Sequence, residues 1–336
     1  MERSRRRIFL AQSTALATSL VAGPRAFAAE FSYKFANELP QNHPVNQLAL
    51  KAAEKIREET AGSVEIKIFP DSQLGSQTDM LSQVRSGAIE FVPVSALILS
   101  TLVPVSSISG LGFIFPTSTS VWKAMDGDLG RYVRGNIEKT DLYVFNKMWD
   151  TGYRQITSST KPIQTPEDLK GFKIRVPVSP LWTSMFKALG ASPVSINFGE
   201  VYSALQTKIV DGQETVLSLV ESLKFYEVQR YCSLTNHMWD GPWLVANRRA
   251  WERMPEKVRA VVERNFNDAA VAERVASEAL NEQAKTTLTA HGMVFNEPNR
   301  PEFQRLLRTA GFYADWKGKF GDEAWRILEQ SVGTLV

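Results

Sequence analysis

Two α/β units are the fold class that the sequence predicts, and three observations predict it. Strand-like and helix-like hydrophobic patterns alternate through the first hundred residues, the alternation resumes after Leu142, and an almost unbroken helical pattern follows Pro255. In the first set, residues 31–36 alternate as a strand does. Residues 44–60 then place Val45, Leu48, Ala49, Ala52, Ala53 and Ile56 on one helical face. Residues 64–68 alternate again, Met80, Leu81 and Val84 mark a second helix, and residues 89–94 form a short apolar strand. A β-α-β-α-β order implies a mostly parallel sheet covered by helices.

The second set begins at residues 142–145 and continues with a strand at 172–176, a helix at 180–189 and a strand at 193–196. A helix at 199–207 and a strand at 209–210 complete it. From Pro255 to about His291, Val258, Val262, Phe266, Ala269, Ala270 and Leu280 recur at helical spacing over roughly 50 Å at 1.5 Å per residue. A helix this long can lie across two units and brace them, or can be an ordinary amphipathic packing helix. Two shorter helices, at 302–316 and 322–329, are expected to finish the chain.

The 336 residues suffice for two or three domains, and 43 % hydrophobic with 22 % charged residues exclude a disordered or fibrous chain. A single cysteine excludes an internal disulfide framework and any four-cysteine metal site. Residues 1–28 read as an export signal. Arg5, Arg6 and Arg7 precede an uncharged stretch rich in small residues, and Ala26-Phe27-Ala28 offers cleavage after Ala28. Arg6-Arg7 followed by Ile8, Phe9 and Leu10 is similar to the twin-arginine type. Without this leader 34 basic residues face 35 acidic ones, a balance that argues against nucleic-acid binding. The expected location is the periplasm.

Phosphate loops, nucleophile elbows and metal helices are absent from the sequence. His43, His237 and His291 are far apart, and Cys232 has the surroundings of a small buried hydrophobe. No metal and no cofactor are expected. Thr165 to Gly171 carries a helix-start pattern with Thr165 as cap and Pro166 in first place. Directly after it, Arg175 sits between Ile174 and Val176 in an apolar strand. A guanidinium there needs either an anion in a pocket or an internal Asp or Glu partner.

Residues 189–194, 198–207 and 210–214 resemble the solute-binding proteins of tripartite ATP-independent periplasmic (TRAP) transporters, of the dicarboxylate-binding or DctP family. So do Gly152-Tyr153-Arg154, Leu169 to Pro177, and Leu74-Gly75 with Met80 to Ala88, all in the same order. The resemblance implies a two-domain periplasmic binding protein fold with a ligand cleft between domains and a long helix spanning both. Domain I would comprise residues 29–151 plus 241–280, and domain II residues 152–240 plus 281–336. It implies a receptor, not an enzyme, that captures an organic acid, closes around it and delivers it to a membrane permease. A monomer is expected.

By the same resemblance Arg175 holds the ligand carboxylate, a task that suits a planar bidentate fork. Arg154 is a more variable second contact, Phe198 packs on the ligand, and Glu214 belongs to the Asp211-Gly212-Gln213-Glu214 turn. Two positions depart from the family pattern: Thr215 replaces a ligand-positioning Asn, and Lys208 replaces a glycine. Trp149, Trp182, Trp239 and Trp243 fall at or near the segments that line the family's cleft. Together with Phe198 they direct the expectation toward an aromatic or hydrophobic monocarboxylate. The alternatives are a secreted enzyme using Glu214 or Asp211 as acid or base, and a solute receptor for a sensor kinase.

Overall fold

The computed structural model describes residues 29–336, so the expected export signal lies outside the described residues. Strand β1 (Phe31–Ala36) turns Tyr33 and Phe35 into the core. Helix α1 (Pro44–Glu59) buries Val45, Ala49, Ala52, Ala53 and Ile56, the face that the sequence pattern marks. His43 caps this helix through Nδ1, and its burial lowers its pKa to about 4, which keeps it a neutral acceptor. Then follow β2 (Val64–Phe69), α2 (Gln77–Ser86), β3 (Phe91–Ser95), α3 (Ala96–Leu99), α4 (Ser118–Met125), α5 (Asp128–Ile137) and β4 (Leu142–Val144). The second part opens with β5 (Gly152–Ser158), β6 (Lys173–Val176), α6 (Pro180–Ala188), β7 (Ser192–Ser195), α7 (Val201–Gln206), β8 (Gly212–Thr215), α8 (Leu217–Ser222) and β9 (Tyr231–Asp240). After it come β10 (Pro242–Asn247), α9 (Arg248–Arg253), α10 (Glu256–Ala290), β11 (Val294–Asn296), α11 (Arg300–Thr309), α12 (Phe312–Phe320) and α13 (Asp322–Val332).

The strands form two sheets, ordered β2-β1-β3-β10-β4 and β11-β9-β5-β8-β6-β7. In the first, β1 runs parallel to β2 and β3, while β10 is antiparallel to β3 and β4. In the second, β6 is parallel to both β7 and β8, and β5 is antiparallel to β8 and β9. The two-domain α/β architecture with a long helix thus matches the expectation, but several elements do not. Strand β4, expected to open the second set, is an edge of the first sheet. Residues 166–169 form a single 3-10 turn rather than a helix, although the Thr165–Asp168 capping box is present. The expected strand at 209–210 is instead a bend, and β8 starts at Gly212. Gly311, in the left-handed region at φ 77°, splits the expected helix 302–316 in two.

The chain passes between the sheets three times. Residues 145–151 lead from β4 to β5, β9 runs into β10 through Gly241, and α10 leads back toward β11. The first two crossings lie side by side, with Trp149 N donating to Pro242 O (3.1 Å) and Thr151 N to Asp240 O (3.3 Å). Only a glycine fits at 241, because a Cβ would stand 2.1 Å from the Trp239 ring and 2.8 Å from Trp149 O. Helix α10 braces the crossings. Lys147 N donates to Asn267 Oδ1 (3.0 Å), Asp150 N to Glu273 Oε2 (2.8 Å), and Asn281 Nδ2 to Thr151 O (3.0 Å). It packs on α1 of the first part and on α8 of the second. The terminal segment, expected with the second unit, divides: β11 pairs with β9, whereas α13 packs on α4 and α5.

Glu273 is buried at this brace, and burial, then the neighbouring Asp150 carboxyl, raises its pKa from 4.5 to about 8. A carboxyl with a raised folded-state pKa holds its proton more tightly when folded. The stability linked to it is full below pH 4.5 and is lost as pH rises through about 8. Glu273→Gln is therefore expected to flatten the decline of the urea midpoint between pH 5 and 8; a variant with the wild-type slope would show that this carboxyl does not titrate there.

Candidate functional site

Between the two sheets lies a cleft with about 650 Å³ of empty space, part of it open to solvent. It sits where parallel strands end at their carboxyl termini, the usual ligand position in open α/β sheets. After β1 the chain contributes Asn37, Glu38 and Leu39; the start of α2 contributes Gln77; β3 and α3 contribute Pro93, Ser95 and Ile98. The facing wall is built from Arg154 on β5, Arg175 on β6, Trp182 on α6, Asn197 and Phe198 after β7, Thr215 on β8 and Leu219 on α8. Thr151, Asp240 and Pro242 of the crossings form the floor. Across the cleft, Thr78 Oγ1 donates to Asn197 Oδ1 at 3.4 Å.

Arg175 is 1 % exposed. Its Nε donates to Ile196 O at 2.8 Å, its guanidinium carbon stands 5.8 Å from the centre of the Phe198 ring, and Nη1 has no partner. No carboxylate is bonded to it, so the internal ion pair left open by the sequence is not formed. Burial lowers its pKa to about 10, which leaves it charged at neutral pH.

Arg154 is equally buried but fully engaged. Its Nε and Nη2 clamp Glu214 Oε2 and Oε1 at 2.5 and 2.9 Å, Nη2 also donates to Glu214 O, and Nη1 reaches Asp240 Oδ2 at 3.4 Å. Burial opposes its charge, but Glu214 beside it more than offsets that effect and raises its pKa. Glu214 is held ionised by Arg154 in spite of its burial, and its Oε2 also faces His237 Nε2 at 3.1 Å. Burial lowers the pKa of His237, which anchors through Nδ1 to Thr235 Oγ1.

The structure brings together Arg175, Arg154, Phe198 and Thr215 on the cleft, with Glu214 directly behind Arg154. It does not bring the three expected tryptophans. Trp149 packs in the core against Phe35, Trp239 donates Nε1 to Asp150 Oδ1 (2.9 Å) and packs edge-on to Trp122, and Trp243 is buried with Arg134 over its ring. All three belong to the hydrophobic core rather than to the cleft wall. Trp182 does line it, stacked 4.7 Å from the Arg154 guanidinium. The enzyme alternative gains nothing: Glu214 is consumed by its partners, and Asp211 accepts from Lys173 N outside the cleft.

The first wall was missed by sequence reasoning. Asn37, Glu38 and Leu39 follow directly on β1, and their place at the end of a parallel strand is the signal that could have found them. Glu38 is partly exposed, accepts from Gln77 Nε2 at 3.2 Å, and is raised to about pKa 7, first by desolvation and then by Asp240, against the pull of Arg175. Asp240 is also raised by burial and accepts from Ser95 Oγ at 2.8 Å.

Residues 35–311 match the family model described as bacterial extracellular solute-binding protein, family 7, or DctP. The chain belongs to this family. DctP proteins are solute receptors rather than enzymes. The chain is 34 % identical over 256 residues to the 2,3-diketo-L-gulonate-binding periplasmic protein YiaO of Escherichia coli, covering 76 % of each chain. The sugar acid binding protein DctPAm of Advenella mimigardefordensis, in complex with galactonate, superposes with a TM-score of 0.86 at 27 % identity, covering 92 % of this chain and 100 % of that one. A TRAP periplasmic solute binding protein of Sulfurospirillum deleyianum with bound succinate gives 0.83 at 28 % identity, covering 90 % and 99 %.

In this DctP protein three buried polar atoms without a partner belong to cleft residues: Arg175 Nη1, Thr215 Oγ1 and Trp182 Nε1. Unpaired buried polar groups are uncommon, and their convergence on one cavity marks places for ligand atoms. Thr215→Val keeps the shape and removes an unpaired hydroxyl. Stability in urea is expected to stay level or rise, while affinity for a bound acid falls about tenfold, the loss of roughly one hydrogen bond. A lower unfolding midpoint together with unchanged affinity would mean that the hydroxyl serves the fold.

Proposed function

We propose that the chain is the exported, periplasmic receptor of a TRAP transporter, capturing a hydroxylated or keto monocarboxylate of the sugar-acid class for a membrane permease. The observation that carries this reading is Arg175, a buried charged fork with Nη1 unpaired and facing no internal carboxylate bond. A ligand carboxylate would satisfy it with parallel charge-assisted hydrogen bonds. The rest of the lining supports a hydroxylated body: Asn37, Gln77, Ser95, Thr151 and Asn197 are polar and uncharged, each with bonds inside the chain and capacity for more, and Thr215 Oγ1 is unpaired. The galactonate in the Advenella protein and the diketogulonate in the name of the Escherichia coli relative are ligands of this kind.

An aromatic or hydrophobic monocarboxylate is the second reading, favoured by Phe198 and Trp182 on the wall. It is the weaker one, because each of these rings already has a guanidinium over or near its face. Calorimetric screening of galactonate and gluconate beside phenylglyoxylate, mandelate and succinate separates the readings.

Arg175→Ala is expected to weaken binding of the acid by about 2–5 kcal/mol, and Arg175→Lys to fall well short of wild type, since an ammonium cannot form two parallel bonds. Unchanged affinity for both variants would remove the anchor. The crossings at residues 145–151 and 240–242 support a hinge between domains 29–151 plus 241–280 and 152–240, and closure requires a ligand that contacts both walls. The radius of gyration in solution scattering is expected to fall at saturating ligand; an identical value in both states would argue against closure.

A further inference from the structure

We infer that Glu38 is the residue that makes this receptor prefer a monocarboxylate to the dicarboxylate of the same carbon skeleton. The inference rests on the reading above, in which Arg175 takes the first carboxylate.

Glu38 is the single ionisable side chain on the cleft wall formed by the first sheet, whose other members are neutral. The opposite wall has two cations, but Arg154 is spent on Glu214 and Asp240. Among the described residues one cleft cation is thus available, and a second ligand carboxylate would find no free guanidinium there. Extended from Arg175 toward the first wall, it would instead meet the Glu38 carboxyl, with that of Asp240 beside it on the floor. Like charges brought together away from water repel strongly, whereas a hydroxyl can donate to the same oxygens. Gln77 Nε2 occupies one oxygen of Glu38 and leaves the other to a ligand.

The penalty is titratable. Burial, then Asp240, holds Glu38 at about pKa 7, while Arg175 on β6 and Arg154 on β5 pull it down. Glu214 and His237 lie behind Arg154, bonded to each other. At pH 8 Glu38 is mostly ionised and opposes a second carboxylate; at pH 6 it is mostly protonated and can donate to one.

The test is calorimetric titration of the full mature protein with two matched pairs, galactonate against galactarate and gluconate against glucarate, at pH 6 and pH 8. In wild type the preference for the monoacid is expected to shrink about tenfold from pH 8 to pH 6, as binding that requires protonation of one group with a pKa near 7 must do. Glu38→Gln keeps the size and the Gln77 contact. Its preference at pH 8 is expected to drop to the wild-type value at pH 6 and to lose its pH dependence, with no fall in the thermal midpoint. A wild-type ratio that is constant between the two pH values, which needs no variant, would overturn the inference. So would a Glu38→Gln protein that retains the pH dependence, because the titrating group would then be Asp240. If either occurs while Arg175→Ala abolishes binding of galactonate or gluconate, the receptor reading stands without Glu38. If Arg175→Ala binds as wild type does, or wild type binds neither member of either pair, the reading itself falls and takes the inference with it.

Discussion

A guanidinium at 1 % exposure with one carbonyl for company is a charge that the protein alone does not neutralise. Arg175 is pinned on β6 between β7 and β8, in register with Val194 and Gln213, so its side chain is fixed on the cleft lining. Desolvation lowers its pKa only to about 10, so it stays charged rather than losing its proton. The folded chain therefore carries an unfavourable electrostatic term; under the proposed function a ligand anion would remove it, and binding would add directly to stability. Arg154, two strands away on β5 and also buried, is the counter-example. Glu214 and Asp240 settle it, and the contrast between the two arginines decides which of them is open to a ligand.

That division is maintained by the crossings. Residues 145–151 and 240–242 carry the two walls, and their pairing through Trp149, Pro242, Thr151 and Asp240 keeps them in register while the walls remain separate sheets. Helix α10 holds this ribbon from behind through Asn267, Glu273 and Asn281, whose side chains bond backbone groups of the crossings. Such ties survive small rotations better than close apolar packing, which is intolerant of shifts. In front, the Thr78–Asn197 hydrogen bond is long, at 3.4 Å. The crossings are thus tied firmly at the back while one long hydrogen bond spans the mouth of the cleft, an arrangement that suits the proposed hinge, in which contacts from a ligand would alter the balance of states.

The legibility of these features in the sequence follows from burial pattern. β1, α1, β2 and β3 face an apolar core on a clean period, and their residues announce it. β5 and β9 do not: their side chains include Arg154, Gln155, Thr157, Thr235 and His237, buried as hydrogen-bonded pairs, so no apolar alternation survives to be read. Arg175 was legible because an Arg in an apolar strand is itself a contradiction. Trp239 and Trp243 misled for a geometric reason. They are four residues apart in what reads as one strand, but Gly241 moves the chain from one sheet to the other between them, and each ring turns into core. Glu38 gave no signal beyond its position after a strand, since a Glu in a loop is ordinarily solvated.

The two departures from the family pattern fall at the two ends of the same short segment, and their physics differs. Lys208 adopts the left-handed region at φ 57°, where a glycine is at ease and a side chain costs about 1–2 kcal/mol. It is exposed, so this is a local backbone strain at the turn before β8, not merely a change of surface chemistry. Thr215 ends β8 with a buried hydroxyl that no described residue engages. No ligand can relieve the first cost, because Lys208 lies away from the cleft. Under the proposed function the second would be removed by a ligand atom in the cleft that Thr215 and Arg175 both line. An asparagine there would present an amide with two donors, suited to a second carboxylate oxygen, whereas a threonine presents one donor and two lone pairs. Under the proposed function the exchange shifts this end of the cleft from holding charge toward exchanging hydrogen bonds with neutral oxygens, in line with a wall on which, among the described residues, Arg175 is the cation without a carboxylate partner.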